Sequence, residues 1–217
     1  MLANLCTGLE WWYMEVPRTG TSTLERTLRH VFPGAKAIHA KHWPVLPSES
    51  LFRTSKSVVS VRNPYSRAVS CWQYFTVPGS QTFVEWLQER KAENFFDVQI
   101  EARPQSFWLE LCPSWDFLIR QEVLAKDFWG FVHSFMPDKE EFNLHRYNDI
   151  NGSWVNRVRH KTSRPVPWQS YYTPEAVELV ADIYASDFRY LSNVYESAFP
   201  GNMRASDATL TAQEAAS

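Results

Sequence analysis

The chain is 217 residues long, with 44% hydrophobic and 15% aromatic side chains, which is enough apolar material for a real core and excludes a disordered chain. A formal net charge of −2 argues against a general binder of nucleic acid or anionic membrane. The charge is segregated, however, with a local balance of +7 over residues 18–75 and +4 over residues 146–164.

In chain order, residues 11–16 are rich in strand-favouring aromatics and end at Pro17, which predicts a first strand. From Ser22 the apolar positions Leu24, Leu28, Val31 and Phe32 recur at helical spacing until Pro33 and Gly34 stop them. Residues 57–61 form a short apolar run of the kind found in buried parallel strands, and Asn63-Pro64 then supplies an N-cap and a first-turn proline for a helix carrying Val69, Trp72 and Phe75. A further helix is predicted from a cap at Ser80 through Lys91. Residues 94–113 show no clear period. Residues 115–119 read as another strand and 123–135 as the helix after it. The stretch 143–172 predicts a long loop or lid. Thr173-Pro174 then opens a helix whose apolar positions Val177, Val180, Tyr184, Phe188, Leu191 and Tyr195 keep helical spacing to about residue 197. The expected fold class is α/β, a single domain over residues 1–200 with a central, mostly parallel sheet flanked by helices. Residues 201–217 read as a disordered tail.

Three cysteines, Cys6, Cys71 and Cys112, show no metal-ligand spacing and no disulfide framework, so reduced surroundings are expected. No apolar run approaches the ~20 residues of a membrane span, and residues 1–10 lack the pattern of a secretory signal. The expectation is a cytoplasmic protein without a membrane span or nucleic-acid partner; its oligomeric state stays open.

Arginine outnumbers lysine 15 to 7, and the planar guanidinium fork suits two-point contact with phosphate or sulfate. Two segments concentrate that chemistry. The loop at residues 17–23 joins strand to helix and offers Arg18, Gly20 and the three adjacent hydroxyls of Thr21, Ser22 and Thr23 beside the unpaired N–H groups of a helix start, which suits an anion. It also fits a plain capped turn with an exposed arginine, and it is not a Walker A loop. In the second segment Arg62 leaves the end of a strand, while Arg67 and Ser70 stand three apart on the next helix. These groups converge on one anion, or else Arg67 pairs with an acidic neighbour and Arg62 ends the sheet. In parallel sheets ligands sit at the carboxyl ends of strands, so one ligand with two phosphate-like groups would satisfy both segments.

At these residues the chain resembles the sulfotransferases that use 3′-phosphoadenosine 5′-phosphosulfate (PAPS), with their P-loop-like fold. The loop VPRTGTSTL at 16–24 is similar to the family's phosphosulfate loop. RNPYSRAVS at 62–70 fits every fixed position of its Arg-x-Pro-x-x-Arg-x-x-Ser motif for the 3′-phosphate. Residues 117–128 and 172–188 are similar to later segments of the carbohydrate-type members, so the resemblance covers about residues 11–197. It implies that Arg18, Thr19, Gly20, Thr21, Ser22 and Thr23 cradle the phosphosulfate, that Arg62, Arg67 and Ser70 hold the 3′-phosphate, and that Lys161 and Thr162 contact the nucleotide from the basic lid, where a solvated charge run is the competing reading. It also implies sulfuryl transfer without a metal to a hydroxyl of a carbohydrate or small-metabolite acceptor.

Sulfuryl transfer is mostly positioning and charge stabilisation, with a base for the acceptor proton. Arginine does not give up a proton at neutral pH, so Arg18, standing where lysine is commoner, is expected to stabilise the leaving group electrostatically. Imidazole titrates near working pH. His42 matches the spacing of a family histidine, with His39 as the runner-up base and Glu15 as a weaker alternative. His133 reads as structural, and Arg120 with Glu122 as an internal pair. Trp43, Arg103 and Gln105 are candidates to contact the acceptor, although such residues are also common in cores. A nucleotide kinase and a nucleotide-binding module with a degenerate site are the rival readings.

Overall fold

Aromatic and β-branched runs at Trp11–Met14 (β2) and Lys56–Val61 (β4) form adjacent parallel strands at the centre of a five-stranded sheet. The computed structural model describes residues 2–4, 10–37, 55–92, 99–111, 115–144, 146–147 and 167–195. Phe117–Arg120 (β5) pairs parallel with β4, while Leu2–Asn4 (β1) pairs antiparallel with β2 and with Lys36–Ala37 (β3), giving the order β3-β1-β2-β4-β5. The chain is therefore α/β with a three-stranded parallel block, and two short antiparallel strands that were not foreseen widen it. By its internal contacts it divides into two compact units, residues 1–61 with 108–164, and residues 62–107 with 165–217.

The first unit holds the sheet. Thr21–Val31 (α1) and Leu124–Phe135 (α5) pack on one core with the strands: Trp11, Tyr13, Val58 and Ile119 meet Leu24, Leu28 and Val31 of α1 and Leu124, Phe128 and Val132 of α5. The register explains this face, because Tyr13 lies beside Val58 and Val58 beside Phe117. Trp11 anchors it through edge contacts to Phe32 and Phe131 at 5.1 and 5.8 Å. Each such fully buried large side chain contributes ~1.5–3 kcal/mol. Strand β5 begins two residues later than expected because Asp116 serves as a connector: its Oδ2 accepts from the Ser57 amide at 2.9 Å and its Oδ1 from Lys56 Nζ at 2.7 Å.

The second unit is helical. Pro64–Phe75 (α2) starts as expected, with Asn63 Oδ1 accepting from the Tyr65 amide at 3.0 Å. Phe83–Ala92 (α3) is capped by Thr82 rather than Ser80. The Thr82 hydroxyl accepts from the Glu85 amide and the Glu85 carboxylate accepts from the Thr82 amide, a reciprocal capping box, whereas the Ser80 hydroxyl donates to the Val77 carbonyl. After a 3-10 turn at Ile100–Ala102 and the short helix Ser106–Leu109 (α4), the chain returns to this unit at Trp168–Tyr171. Thr173 caps Pro174–Ile183 (α6) as its sequence suggests. The expected single helix to 197 is broken at Tyr184, with φ −108° and ψ 26°, and resumes only as Ala185–Tyr190 (α7). The break falls where the buried Tyr184 hydroxyl donates to the Ala102 carbonyl at 3.2 Å. Tyr65, Ala68, Phe83, Trp86, Ala176 and Val180 form this unit's core.

Candidate functional site

In the first unit, the loop between β2 and α1 is shaped by its backbone. Arg18, with φ 66°, is the one non-glycine residue of positive φ among the described residues, and Gly20 follows with φ 88° as the N-cap of α1. Pro17 and Thr19 lie on the negative side, so the sign of φ alternates from 17 to 20, a pattern shared with backbone turns that bind anions. No side chain caps the helix start, so the first turn retains the donor character that attracts negative charge. The amides of Thr23 and Leu24 both close on the Gly20 carbonyl at 3.0 Å, which confines the cradle to the residues before Thr23. A Cβ on Gly20 would lie 3.1 Å from Leu124 Cδ1 and 3.5 Å from Gln121 Cγ, so the left-handed backbone favours glycine here and any side chain would also require Leu124 to shift by a few tenths of an ångström.

The Thr19 side chain turns inward, whereas the resemblance implies a role only for its backbone N–H. It is fully buried, and its Oγ1 donates to the Val16 carbonyl at 2.7 Å. With that proton used, Ser60 Oγ must be the donor in the 2.6 Å contact to Thr19, and the Tyr13 hydroxyl the donor in the 2.7 Å contact to Ser60. Burial first, then the nearby Glu15 charge, pushes the Tyr13 phenol far above its ordinary value, so it holds its proton and the order of donors is fixed. This chain ties the loop to the carboxyl end of β4, the strand that Arg62 follows. Thr21 and Glu15 are buried, while Arg18, Ser22 and Thr23 are half-buried.

In the second unit, Arg62 is half-buried and its Nε donates to Ser66 Oγ at 2.9 Å. Ser70 lies buried on α2. Arg67 is used otherwise than expected: it is fully buried, and Nη1 and Nη2 each donate at 2.8 Å, to the carbonyls of Arg103 and Glu101. It therefore clamps a neighbouring segment of main chain instead of facing a surface anion. Gln105, expected near the acceptor, is also fully buried; its Oε1 accepts from the Arg62 amide and its Nε2 donates to the Arg62 carbonyl, both at 2.8 Å. The Arg103 guanidinium lies over the Phe107 ring, 4.5 Å from its centroid.

The structure thus brings Arg62, Ser66, Gln105 and Asp187 into one network, of which Ser66 and Asp187 were not anticipated. Asp187 had a legible signal, being a carboxylate on the same helical face as Tyr184 and Leu191, both buried. Arg120 pairs with Asp127, a partner the sequence did not name, donating from Nε and Nη2 at 2.8 and 2.9 Å, because Asp127 sits in the first turn of α5 facing the strand end. His133 stacks beside Trp129, and its Nε2 lies 3.0 Å from the Lys139 carbonyl. His39, His42, Trp43, Lys161 and Thr162 lie outside the described residues. Among the described residues no three or more His, Cys, Asp or Glu are grouped to hold a metal ion, and no helix is long and apolar enough to cross a membrane. Comparison with family models, curated proteins and solved structures finds no match.

Proposed function

We propose that the chain is a PAPS-dependent sulfotransferase of the P-loop-like fold, transferring a sulfuryl group to a hydroxyl of a carbohydrate or small-metabolite acceptor. The observation that supports this reading is the loop at 17–20, whose backbone alternates in the sign of φ at a helix start, in a chain that also spells the full RNPYSRAVS motif. PAPS would supply the activated sulfuryl group. The amides of residues 19–22 with Arg18 would hold its phosphosulfate end, and Arg62 and Ser70 its 3′-phosphate. The acceptor oxygen bonds to sulfur as the bond from sulfur to the bridging phosphate oxygen breaks. The proton from the acceptor passes to His42, or to His39 in its place, and Arg18 stabilises the charge left on the phosphate.

Adenosine 3′,5′-bisphosphate, the product nucleotide, tests this directly. At about 100 times its Kd it should stabilise the fold by ~2.7 kcal/mol, or roughly 5–10 °C in Tm for a chain of this size, while ATP with magnesium does little. Equal stabilisation by both nucleotides overturns the assignment. The arginine at position 18, where lysine is commoner, favours one second reading, a nucleotide-binding module that does not turn over. Binding of the bisphosphate with no transfer of labelled sulfate to a broad acceptor panel would select it.

A further inference from the structure

The second unit contains a buried polar construction that no helix or sheet requires. Three consecutive carbonyls are each held by a buried side chain: Glu101 and Arg103 by Arg67, and Ala102 by the Tyr184 hydroxyl. One turn further on, Asp187 Oδ1 accepts from the Ser106 amide at 2.8 Å, Ser106 Oγ lies 2.8 Å from Ser186 Oγ, and Asp187 Oδ2 lies 3.4 Å from Gln105 Nε2. Asp187 and Gln105 are both fully buried. Burial pushes the Asp187 carboxyl up from its ordinary value, against the opposing pull of the Arg67 charge and of the donors from Ser106 and Gln105. A buried carboxylate, guanidinium and amide are costly to assemble and are weak grounds for stability alone.

The construction delivers one thing, the Gln105 carboxamide. It meets both the N–H and the C=O of Arg62, as a neighbouring strand would, but beyond the end of β4. A side chain is thereby doing the work of a ladder partner at the residue that opens the RNPYSRAVS motif. The Arg62 main chain is fixed by Gln105 and its guanidinium by Ser66, so the side chain is ordered before any ligand arrives.

We propose that Gln105, oriented by Asp187, and Ser66 are positioning residues that pre-set Arg62 for the nucleotide 3′-phosphate, and so determine discrimination between 3′-phosphorylated and plain adenosine 5′-nucleotides. This rests on the assignment of Arg62 to the 3′-phosphate. The direction of hydrogen bonding is specific. Both Asp187 oxygens accept in these contacts, which turns the Gln105 amide nitrogen toward Asp187 and the Arg62 carbonyl, and leaves Oε1 for the Arg62 amide. An asparagine at 187 would present a donor in place of that acceptor and disturb the orientation without changing shape.

The test compares Kd for adenosine 3′,5′-bisphosphate and adenosine 5′-phosphate on the full chain, alongside Tm. Wild type should prefer the bisphosphate and Arg62→Ala should lose that preference. Gln105→Met, which keeps the volume, should lower the preference by about tenfold or more while changing adenosine 5′-phosphate binding little. Ser66→Ala, a small change that keeps the fold should Gln105→Met not, and Asp187→Asn should move in the same direction. A preference retained in Ser66→Ala and Asp187→Asn, or affinity for both nucleotides falling in parallel with Tm, overturns the positioning role and leaves the sulfotransferase reading standing. A wild-type protein with no preference overturns that reading, and the positioning role with it.

Discussion

Gly20 and Gly79 both have positive φ, 88° and 80°, but only Gly20 has neighbours where a Cβ would go. Alanine at either position carries the left-handed backbone cost of roughly 1–2 kcal/mol; at Gly20 it adds the 3.1 Å approach to Leu124 Cδ1. Gly20→Ala should therefore lower Tm by more than Gly79→Ala and should also weaken nucleotide binding, since it disturbs the cradle itself. Equal Tm losses in the two variants, with binding intact, would show that the loop tolerates a side chain there. At this scale the sequence was legible in type and not in direction. The residues of the loop and of RNPYSRAVS supply by their identity the guanidinium and hydroxyl groups of the proposed anion site. Which way Arg67 turns depends on carbonyls at 101 and 103, more than thirty residues away, and every α2 residue from Tyr65 to Cys71 is buried, so helical spacing held no information about an exposed face.

Elements were legible wherever their signals were local. The strand, turn and helix units at 11–31 and 56–75 follow from apolar period, a turn and, in the second, the Asn63-Pro64 start. Strands β1 and β3, three and two residues long, carry no period at all and exist by pairing. The start of α3 offered two hydroxyl residues, and the choice turned on Glu85, which lies three residues after Thr82 but five after Ser80. Thr82→Ala should accordingly cost about 1 kcal/mol and Ser80→Ala less than about 0.5 kcal/mol, read as shifts of the urea midpoint. Similar losses at both positions would contradict the capping box.

For the molecule as a whole, acid stability is set by carboxylates held in opposite senses. Partial burial alone would raise Asp127, but the Arg120 hydrogen bonds and charge outweigh it and hold the carboxyl below its ordinary value of 3.8; Lys56 and Ser57 do the same for Asp116. A depressed carboxyl contributes stability that is fully present above the ordinary value and is lost as pH falls through the folded one. Asp187, raised by burial, works the other way and is relieved by acid. Asp127→Asn should lower Tm at neutral pH, with the gap to wild type closing as pH falls below about 4. A gap independent of pH would mean that the pair with Arg120 acts through packing alone.

The order β2-β4-β5 also bears on biosynthesis. Strand β5 cannot seat beside β4 until residues 62–120 have been made, and at ribosomal speeds of ~5–20 residues per second that interval is roughly 3–12 s. Throughout it the nascent chain presents Val58, Val59 and Val61 along an unpaired edge, the kind of edge that recruits other strands. The fold that places Arg62 at the exit of β4 therefore leaves that strand exposed to neighbouring chains during translation.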